Sequence, residues 1–448
     1  MKNIMTSSVM KTNVDDVNKE AIIDLRHVGK TFSKPEGGNL PVLEDINVTA
    51  RSGEILGLLG RSGSGKSTLL RIAAGLIQAS KGDVLYNGKP LNGPAEGIAV
   101  VFQTFALFPW LTVLENVEAG LDALGLAADV TRQRALAAID VIGLDGFESA
   151  YPRELSGGMR QRVGFARALV VQPTILLMDE PFSALDVLTS EILRSDLLDL
   201  WHGHQLPMKS ILMVTHNIEE AVLMCDRILI LASNPGRIAA EIEVSLAHPR
   251  NRLAPDFHAI VDQVYSILTS RAIASSDAQH QLSGSFTQIL PGASSIRICG
   301  LVETLGSNYF NGEADLAKLS RPFVLGVDML LPIAEALHLL EFAELKEGTI
   351  RLTASGKIFS QAGMEERKRM FREHLLHYVP LAAHIRHVLD DREEHQAPRL
   401  RFMSELEDHL NSAEANRTLR TVTDWGRYAE LFEYDAKTLR FSIDAIRS

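Results

Sequence analysis

The sequence predicts an α/β domain with a mainly parallel sheet, followed by a smaller, mainly helical domain. Between residues 21 and 271, short β-rich runs alternate with helical stretches, as in βα units. Several of these runs are apolar without alternation, as expected of strands that are covered on both faces. After residue 288 the pattern is mostly helical, with two candidate hairpins. The candidate strands of the first domain are 22–24, 54–59, 98–102, 175–178, 210–214 and 227–231.

The domain bounds follow from shifts in composition. Residues 1–20 are polar and unpatterned, which predicts a disordered leader. The α/β domain is predicted over 21–271. Residues 272–288 are small and polar and are predicted to form a linker, and 289–448 form the C-terminal domain.

Bulk properties exclude several classes of protein. A net charge of -11 argues against a chain whose main role is to bind nucleic acid or anionic lipid. The two cysteines, Cys225 and Cys299, have no metal-ligand spacing and suit a reducing compartment. No stretch approaches the roughly 18 apolar residues of a membrane span. We therefore expect any membrane role to come through a partner.

A phosphate-binding loop follows the second candidate strand of the first domain. The motif G-x-x-x-x-G-K-[ST] lies between a strand and a helical run, which is the context that it requires. Its glycines let backbone N–H groups form an anion-binding nest, and the helix N-terminus adds positive potential. Lys66 is predicted to reach the β- and γ-phosphates and Ser67 to bind Mg²⁺. The residues of the loop are Gly60, Arg61, Ser62, Gly63, Ser64, Gly65, Lys66, Ser67 and Thr68.

Two carboxylates end a later apolar strand. Asp179 closes the run 175–178 and can hold Mg²⁺ through its water shell. Glu180 is the next residue and can accept a proton from an attacking water. Beside the phosphate loop, this pair predicts a metal-assisted phosphoryl-transfer site.

The run 155–162, Leu-Ser-Gly-Gly-Met-Arg-Gln-Arg, resembles the signature motif of ABC ATPases. Four more features occur in that family's order and extend the resemblance over 21–271. They are Phe32 at the position of an adenine-stacking ring, Gln103 at the Q-loop, Asp186 in the D-loop and His216 as the switch histidine. The resemblance implies a P-loop ABC ATPase domain with a helical subdomain.

The resemblance also implies the roles of these residues. Ser156, Gly157 and Gly158 would contact the γ-phosphate of ATP that is bound to a second ATPase subunit. Two chains, expected to be identical, would then close head to tail over two ATP molecules. Gln103 would join Ser67 and Asp179 at Mg²⁺, Asp186 would lie at the nucleotide site, and His216 would hold the attacking water near Glu180.

A candidate docking region for a membrane partner lies between the Q-loop and the signature motif. Residues 104–113 are rich in apolar side chains, and the resemblance implies that this region receives a helix of a transmembrane permease. The short sequences at 108–111 and 233–237 are similar to those in the ATPases of importers of nitrate, sulfonate, taurine and bicarbonate. The expected location is therefore the cytoplasmic face of the cell membrane, peripheral through the permease, with a solute-binding protein as an indirect partner.

The C-terminal domain is predicted to be winged-helix-like and regulatory or dimerising. The pattern at 315–362 suggests a winged helix, in which a helical stretch through residue 340 is followed by two short strands with a turn at 347–348. A similar pair of candidate strands ends the domain at 428–443, which suggests two related modules. The domain resembles the accessory domain of some ATPases of the same importer group.

The alternative function is a nucleic-acid-directed ABC ATPase whose winged helix binds DNA. The stretch 289–448 holds 20 basic and 24 acidic residues, a net charge of -4 where a DNA binder is expected to be positive. The basic cluster at 367–372 follows two glutamates and is predicted to be a solvated helix face. No nucleic acid is expected as a partner.

Overall fold

The computed structural model describes residues 20–33, 38–203, 207–233, 235–280, 288–323, 327–346 and 348–443. The chain divides into two compact units, Met1–Arg252 and Leu253–Ser448. Each unit has its own sheets and its own buried core. The predicted leader lies outside the described residues, apart from Glu20.

The first unit alternates strands and helices as the sequence predicts. Each of the six predicted strands overlaps an observed strand. In chain order the elements are β1 (Ala21–Ser33), β2 (Asn39–Arg51), β3 (Glu54–Gly60), α1 (Lys66–Ala73), β4 (Lys81–Tyr86), β5 (Lys89–Pro90), β6 (Ile98–Val101), α2 (Val113–Asp122), α3 (Ala128–Val141), α4 (Gly157–Leu169), β7 (Ile175–Asp179), α5 (Val187–His202), β8 (Ser210–Thr215), α6 (Ile218–Met224), β9 (Arg227–Ala232) and β10 (Arg237–Glu243).

A six-stranded sheet forms the centre of this unit, in the order β10-β9-β3-β8-β7-β6. All neighbours pair in parallel except β10, which pairs with β9 in the antiparallel sense. Every residue of β3, β7 and β8 is buried, which explains their continuous apolar runs. The predicted α/β class is confirmed. Because carboxyl ends of parallel strands meet at one edge, the residues after β3, β7 and β8 converge there.

A second, antiparallel sheet has the order β2-β1-β4-β5. Its inner face shares one apolar core with α1 and the parallel sheet. The first residues after β3 thus lie between a rigid strand and a helix that is held by core residues such as Leu69 and Leu70, both fully buried.

Three helices, α2 to α4, form a subdomain between β6 and β7 in the chain. The helices contact one another pairwise. Helix α2 begins with a capping box, in which Thr112 accepts from the N–H of Glu115 and the Glu115 carboxylate accepts from the N–H of Thr112. The predicted helical subdomain is therefore present in the first unit.

The boundary between the units differs from the predicted one. The compact units divide after Arg252, whereas the sequence placed the end of the domain at residue 271. Helix α7 (Pro255–His280) runs through most of the predicted linker. Residues 272–280 contain three alanines, which are small enough to resemble a linker but are also the strongest helix formers. Helix α7 contacts β12, α9 and α10 of the second unit, and Phe257 and Val261 on this helix are buried.

The second unit is mainly helical with two small sheets. Its remaining elements are α8 (Ser295–Gly306), β11 (Glu313–Asp315), α9 (Leu316–Phe323), α10 (Val327–Leu339), β12 (Ala343–Lys346), β13 (Thr349–Leu352), α11 (Ala354–Gln361), α12 (Met364–Tyr378), α13 (Pro380–Asp390), β14 (Gln396–Pro398), α14 (Arg399–Glu407), α15 (Ser412–Tyr428), β15 (Glu433–Asp435) and β16 (Arg440–Ser442).

One element order occurs twice in this unit. Helix, strand, two helices and a two-stranded hairpin follow one another from α8 to β13 and again from α13 to β16. The sheets have matching orders, β11-β13-β12 and β14-β16-β15. This repetition agrees with the expectation of two related modules, and the winged-helix name stays a prediction.

The basic cluster on α12 contacts other helices instead of forming a wholly solvated face. Arg367 pairs with Glu303 on α8 and donates to the carbonyls of Phe359 and Ser360 at the end of α11. Lys368 pairs with Glu430 at 2.9 Å, and Arg372 donates to the carbonyl of Ala429 at 2.7 Å. Arg369 is largely exposed and pairs with Glu366 and Glu373 within α12, and Lys368 also pairs within this helix, with Glu365 at 3.4 Å. The cluster therefore joins α12 to the ends of its neighbours.

Within the described ranges, no helix combines the length and apolar character needed to cross a bilayer.

Candidate functional site

The phosphate loop connects β3 to α1 in a conformation that its glycines permit. Gly63 and Gly65 have φ values of 80° and 93°, in the left-handed region that favours glycine. A Cβ on Gly65 would lie 2.6 Å from Cδ2 of Leu43, so the loop also approaches the core closely there. No side chain caps the start of α1. The first N–H groups of this helix thus remain for an anion.

The predicted phosphate-binding lysine lies inside the loop. Lys66 is 5 % exposed, and its Nζ donates to the carbonyls of Gly60 at 2.7 Å and Arg61 at 3.0 Å. Ser64 is buried, and its Oγ has no hydrogen-bond partner within the described structure. Ser62 is exposed and Thr68 is half-buried on α1. The ammonium group of Lys66 is thus bound by carbonyls of the loop itself, in the space where phosphate oxygens are expected.

Ser67 and Asp179 form a pair of oxygen ligands. The Oγ of Ser67 donates to Oδ1 of Asp179 at 2.9 Å, which joins the start of α1 to the end of β7. Burial raises the pKa of Asp179, and the bond from Ser67 partly offsets this rise. A hydroxyl beside a carboxylate is a ligand set that suits Mg²⁺, a hard cation that prefers oxygen. These residues therefore fit the predicted metal ion.

Glu180 receives two polar groups on one oxygen. Nε2 of Gln103 donates to Oε2 of Glu180 at 3.1 Å, and Nδ1 of His216 lies 3.1 Å from the same atom. Glu180 itself has a φ of 45°, an unusual conformation for a side-chain-bearing residue, and its N–H donates to the carbonyl of Val214. The bond with His216 holds the pKa of Glu180 below its usual range. The carboxylate is thus ionised and oriented, as a proton acceptor requires.

Phe32 lies near the end of β1 and is 40 % exposed. The ammonium of Lys30 lies 4.9 Å from the centre of its ring. An exposed ring of this kind has a face that can stack on a base, and the adenine role of Phe32 stays a prediction.

The signature residues form the start of α4. Ser156 is the N-cap of this helix, and its Oγ accepts from the N–H of Met159 at 3.2 Å. Gly157 and Gly158 follow in the first turn. A Cβ on Gly158 would lie 2.3 Å from Cγ2 of Thr189 on α5, so only a glycine lets the two helices come this close without a shift.

Asp186 is the N-cap of α5 and binds the next turn. Its carboxylate accepts from the N–H of Thr189 at 3.0 Å and from the hydroxyl of the same residue at 2.7 Å. The side chains of Asp186 and Ser156 thus each form hydrogen bonds with the first turn of the helix that they cap.

Hydrogen bonds join the predicted site residues of the parallel sheet edge in two groups. One group contains Ser67 and Asp179, and the other contains Gln103, Glu180 and His216. The structure therefore joins two of the three predicted metal ligands, Ser67 and Asp179, in one pair. The third, Gln103, is bonded instead to the proposed base, together with His216.

The candidate docking region exposes two aromatic rings. Phe108 is 40 % and Trp110 is 69 % exposed, and their ring centres lie 5.6 Å apart. The loop is held by Asn116, which is fully buried and bonds to the N–H and carbonyl of Phe108 and to the carbonyls of Leu111 and Thr112. Sequence analysis missed Asn116. Its signal in the sequence is a polar residue inside the apolar face of α2.

Comparisons with known proteins divide the chain in the same way. A family model described as "ABC transporter" matches residues 43–183, and one described as "C-terminal AAA-associated domain" matches residues 317–435.

Three of the relatives each match about half of the chain. An uncharacterized ABC transporter ATP-binding protein of Methanocaldococcus jannaschii is 43% identical over 239 residues, 53% of this chain and 88% of the relative. The nitrate import ATP-binding protein NrtD of Synechocystis sp. is 42% identical over 54% of this chain and 93% of its own length. The aliphatic sulfonates import ATP-binding protein SsuB of Bacillus subtilis is 45% identical over 52% of this chain and 88% of its own length.

Proposed function

Since the chain belongs to the ATP-binding subunits of ABC transporters, we propose that it hydrolyses ATP to drive the import of a small anion. Two relatives are named for nitrate and for aliphatic sulfonates, which supports an anion of this class, such as nitrate, a sulfonate, taurine or bicarbonate. The observation that carries the proposal is the position of Glu180, held by His216 and Gln103 at the sheet edge where Ser67 and Asp179 also lie.

Nucleotide binding begins at the phosphate loop. The N–H groups of the loop and of the first turn of α1 would bind the phosphate oxygens. Lys66 would exchange its bonds to the carbonyls of Gly60 and Arg61 for bonds to the β- and γ-phosphates. Phe32 would stack on the adenine ring.

Ser67, Asp179 and Gln103 would hold Mg²⁺, which when bound neutralises charge on the β- and γ-phosphates. Gln103 uses its Nε2 for Glu180, so its other polar atom, Oε1, is the one that suits a metal ion.

Hydrolysis would proceed from a water beside Glu180. The Glu180 carboxylate takes the proton as the water oxygen attacks the γ-phosphorus and the bond to the ADP oxygen breaks. His216 and Gln103 orient the carboxylate, and His216 would contact the γ-phosphate. General-base catalysis of this kind typically contributes about 10²- to 10⁴-fold in rate.

A second subunit would complete the site. Ser156, Gly157 and Gly158 form the start of α4, and we propose that this helix end contacts the γ-phosphate held by another copy of the chain. The exposed rings of Phe108 and Trp110 would contact the permease, and a solute-binding protein would take part indirectly. The chain would then act at the cytoplasmic face of the membrane, bound through the permease.

The C-terminal unit is proposed to regulate or to support dimerisation. Nucleic-acid binding is less favoured, because three of the four basic side chains on α12 contact carboxylates or carbonyls of neighbouring helices.

The test compares the wild-type chain with Glu180→Gln and with the exposed control Glu96→Gln. We expect Glu180→Gln to release phosphate about 10²- to 10⁴-fold more slowly while it still binds ATP and forms a closed dimer. Glu96→Gln should match the wild type. Phosphate release by Glu180→Gln at the wild-type rate would refute the assigned base. Stimulation of the reconstituted transporter by nitrate, a sulfonate or bicarbonate then identifies the solute.

A further inference from the structure

A buried ion pair lies beside the proposed site and has no part in the hydrolysis step itself. Arg194 on α5 and Glu220 on α6 are 6 % and 5 % exposed, and Nη1 of the arginine lies 3.3 Å from Oε1 of the glutamate. Taking two charges out of water is costly, so a buried pair is weak support for stability as its main role. Its contacts on either side indicate another role.

On one side, the pair holds the residues around the switch histidine. Oε2 of Glu220 accepts from the hydroxyl of Thr215 at 2.5 Å. The same hydroxyl oxygen accepts from the N–H of Asn217 at 3.0 Å, and the Asn217 side chain accepts from the N–H of Glu220. His216 lies between Thr215 and Asn217, so its backbone is fixed from both sides.

On the other side, the pair holds α5. Arg194 donates to Oγ of Ser190 at 3.5 Å, and its guanidinium lies 5.9 Å from the ring centre of Phe182. Phe182 stacks on Phe165 of α4. Helix α5 is also capped by Asp186, and its Thr189 lies against Gly158. The helix that carries Arg194 is thus linked to the signature helix directly, through Thr189 and Gly158, and indirectly, through Phe182 and Phe165.

We propose that Arg194 and Glu220 are positioning residues, which hold His216 against Glu180 and link this contact through α5 to the signature turn. The inference rests on the proposed function, because it assigns the pair to the orientation of the same catalytic groups. Neither residue touches the reacting atoms. Their loss therefore slows hydrolysis through the geometry of His216.

The experiment uses the full chain with Glu220→Gln, Arg194→Met and the double variant. Glu191→Gln is the matched control, because Glu191 lies on the same helix and pairs with Arg252 at 2.9 Å in an exposed position. The measurements are kcat for ATP, ATP affinity at equilibrium, and the melting temperature of each variant.

Each single variant should lower kcat by about 10- to 100-fold, as misplaced catalytic groups do, while ATP affinity changes less than about threefold. Each single variant also leaves one buried charge unpaired, which lowers the melting temperature. The double variant carries no orphaned charge and should melt above both single variants, yet its kcat should stay low. Glu191→Gln should match the wild type in all three measurements.

Two results overturn the inference. If kcat recovers in the double variant together with the melting temperature, the pair has a structural role only. If folded Glu220→Gln turns over at the wild-type rate, His216 does not depend on the pair. Both results leave the proposed function intact provided that Glu180→Gln is inactive. A wild-type chain that binds no ATP would instead refute the proposed function and, with it, this inference.

Discussion

Nδ1 of His216 lies 3.1 Å from Oε2 of Glu180 at the carboxyl edge of the parallel sheet. The two residues follow the neighbouring strands β8 and β7, so the pairing of these strands brings them together. The bond lowers the pKa of Glu180. One histidine thus both orients the proposed base and keeps it ionised.

The pH dependence of hydrolysis follows from this bond. A carboxyl group whose pKa lies below the ordinary value of about 4.3 stays ionised from neutral pH down to that range. We therefore expect protonation of Glu180 to reduce kcat only at more acidic pH. His216→Ala removes the largest cause of the lowered pKa, so the acidic limb of the residual activity should move to higher pH.

The same variant changes stability with a defined sign. A lowered pKa in the folded state contributes stability above the unfolded pKa, and this contribution is lost as the pH falls through the folded value. The advantage of wild type over His216→Ala in free energy of unfolding should therefore shrink in acid. A ¹³C NMR titration of the Glu180 carboxyl group, assigned with Glu180→Gln, measures the shift directly. An unchanged titration in His216→Ala would show that the histidine is not what lowers the pKa of Glu180.

Lys66→Ala should weaken ATP binding. Hydrogen bonds to a charged group contribute about 1.5–3 kcal/mol each, so loss of one such bond to phosphate lowers affinity by about 10- to 150-fold. Fluorescence titration with a labelled ATP measures the change. Lys209→Ala is the control, since Lys209 forms an exposed ion pair with Glu20 at 3.0 Å. Equal ATP affinity of Lys66→Ala and wild type would mean that the ammonium does not contact the phosphates.

Much of the first unit could be predicted because its signals are local. The apolar runs of β3, β7 and β8 identify strands buried on both faces, and the glycines between β3 and α1 identify the loop. Parallel pairing then places the residues that follow these strands at one edge. In the structure, Gln103 and His216 lie at this edge of the sheet and form hydrogen bonds with Glu180.

The remainder depends on contacts between distant residues. Glu430 lies 62 positions after Lys368, and nothing near the basic cluster in the sequence indicates this partner. Arg194 and Glu220 are likewise 26 positions apart on two helices, and each alone resembles an ordinary charged helix residue. The extent of α7 was missed for another reason. Its C-terminal part has the composition of a linker, and the helix packs on β12, α9 and α10, which come later in the chain.

Gly356→Ala should destabilise the second unit. Gly356 lies in the first turn of α11, and a Cβ there would lie 1.9 Å from the carbonyl oxygen of Phe342. This atom belongs to the backbone just before β12, and Phe342 itself is fully buried, so neither can yield easily. Overpacking of this kind costs about 1–3 kcal/mol, and occasionally more. Denaturant unfolding followed by the fluorescence of Trp425, with Trp110 and Trp201 replaced, measures the loss.

Gly363→Ala is the matched control, because it lies seven residues later and a Cβ there has no neighbour within 4 Å. Its φ of -70° suits any residue, so the change should alter the free energy of unfolding by less than about 1 kcal/mol. Gly356 lies inside the first turn of α11, whereas Gly363 is the N-cap of α12, where glycine is preferred to alanine, so the control includes a small loss of its own. The loss in Gly356→Ala beyond that of the control measures the contact of α11 with Phe342. Equal unfolding midpoints would mean that the backbone at Phe342 can shift to admit a methyl group.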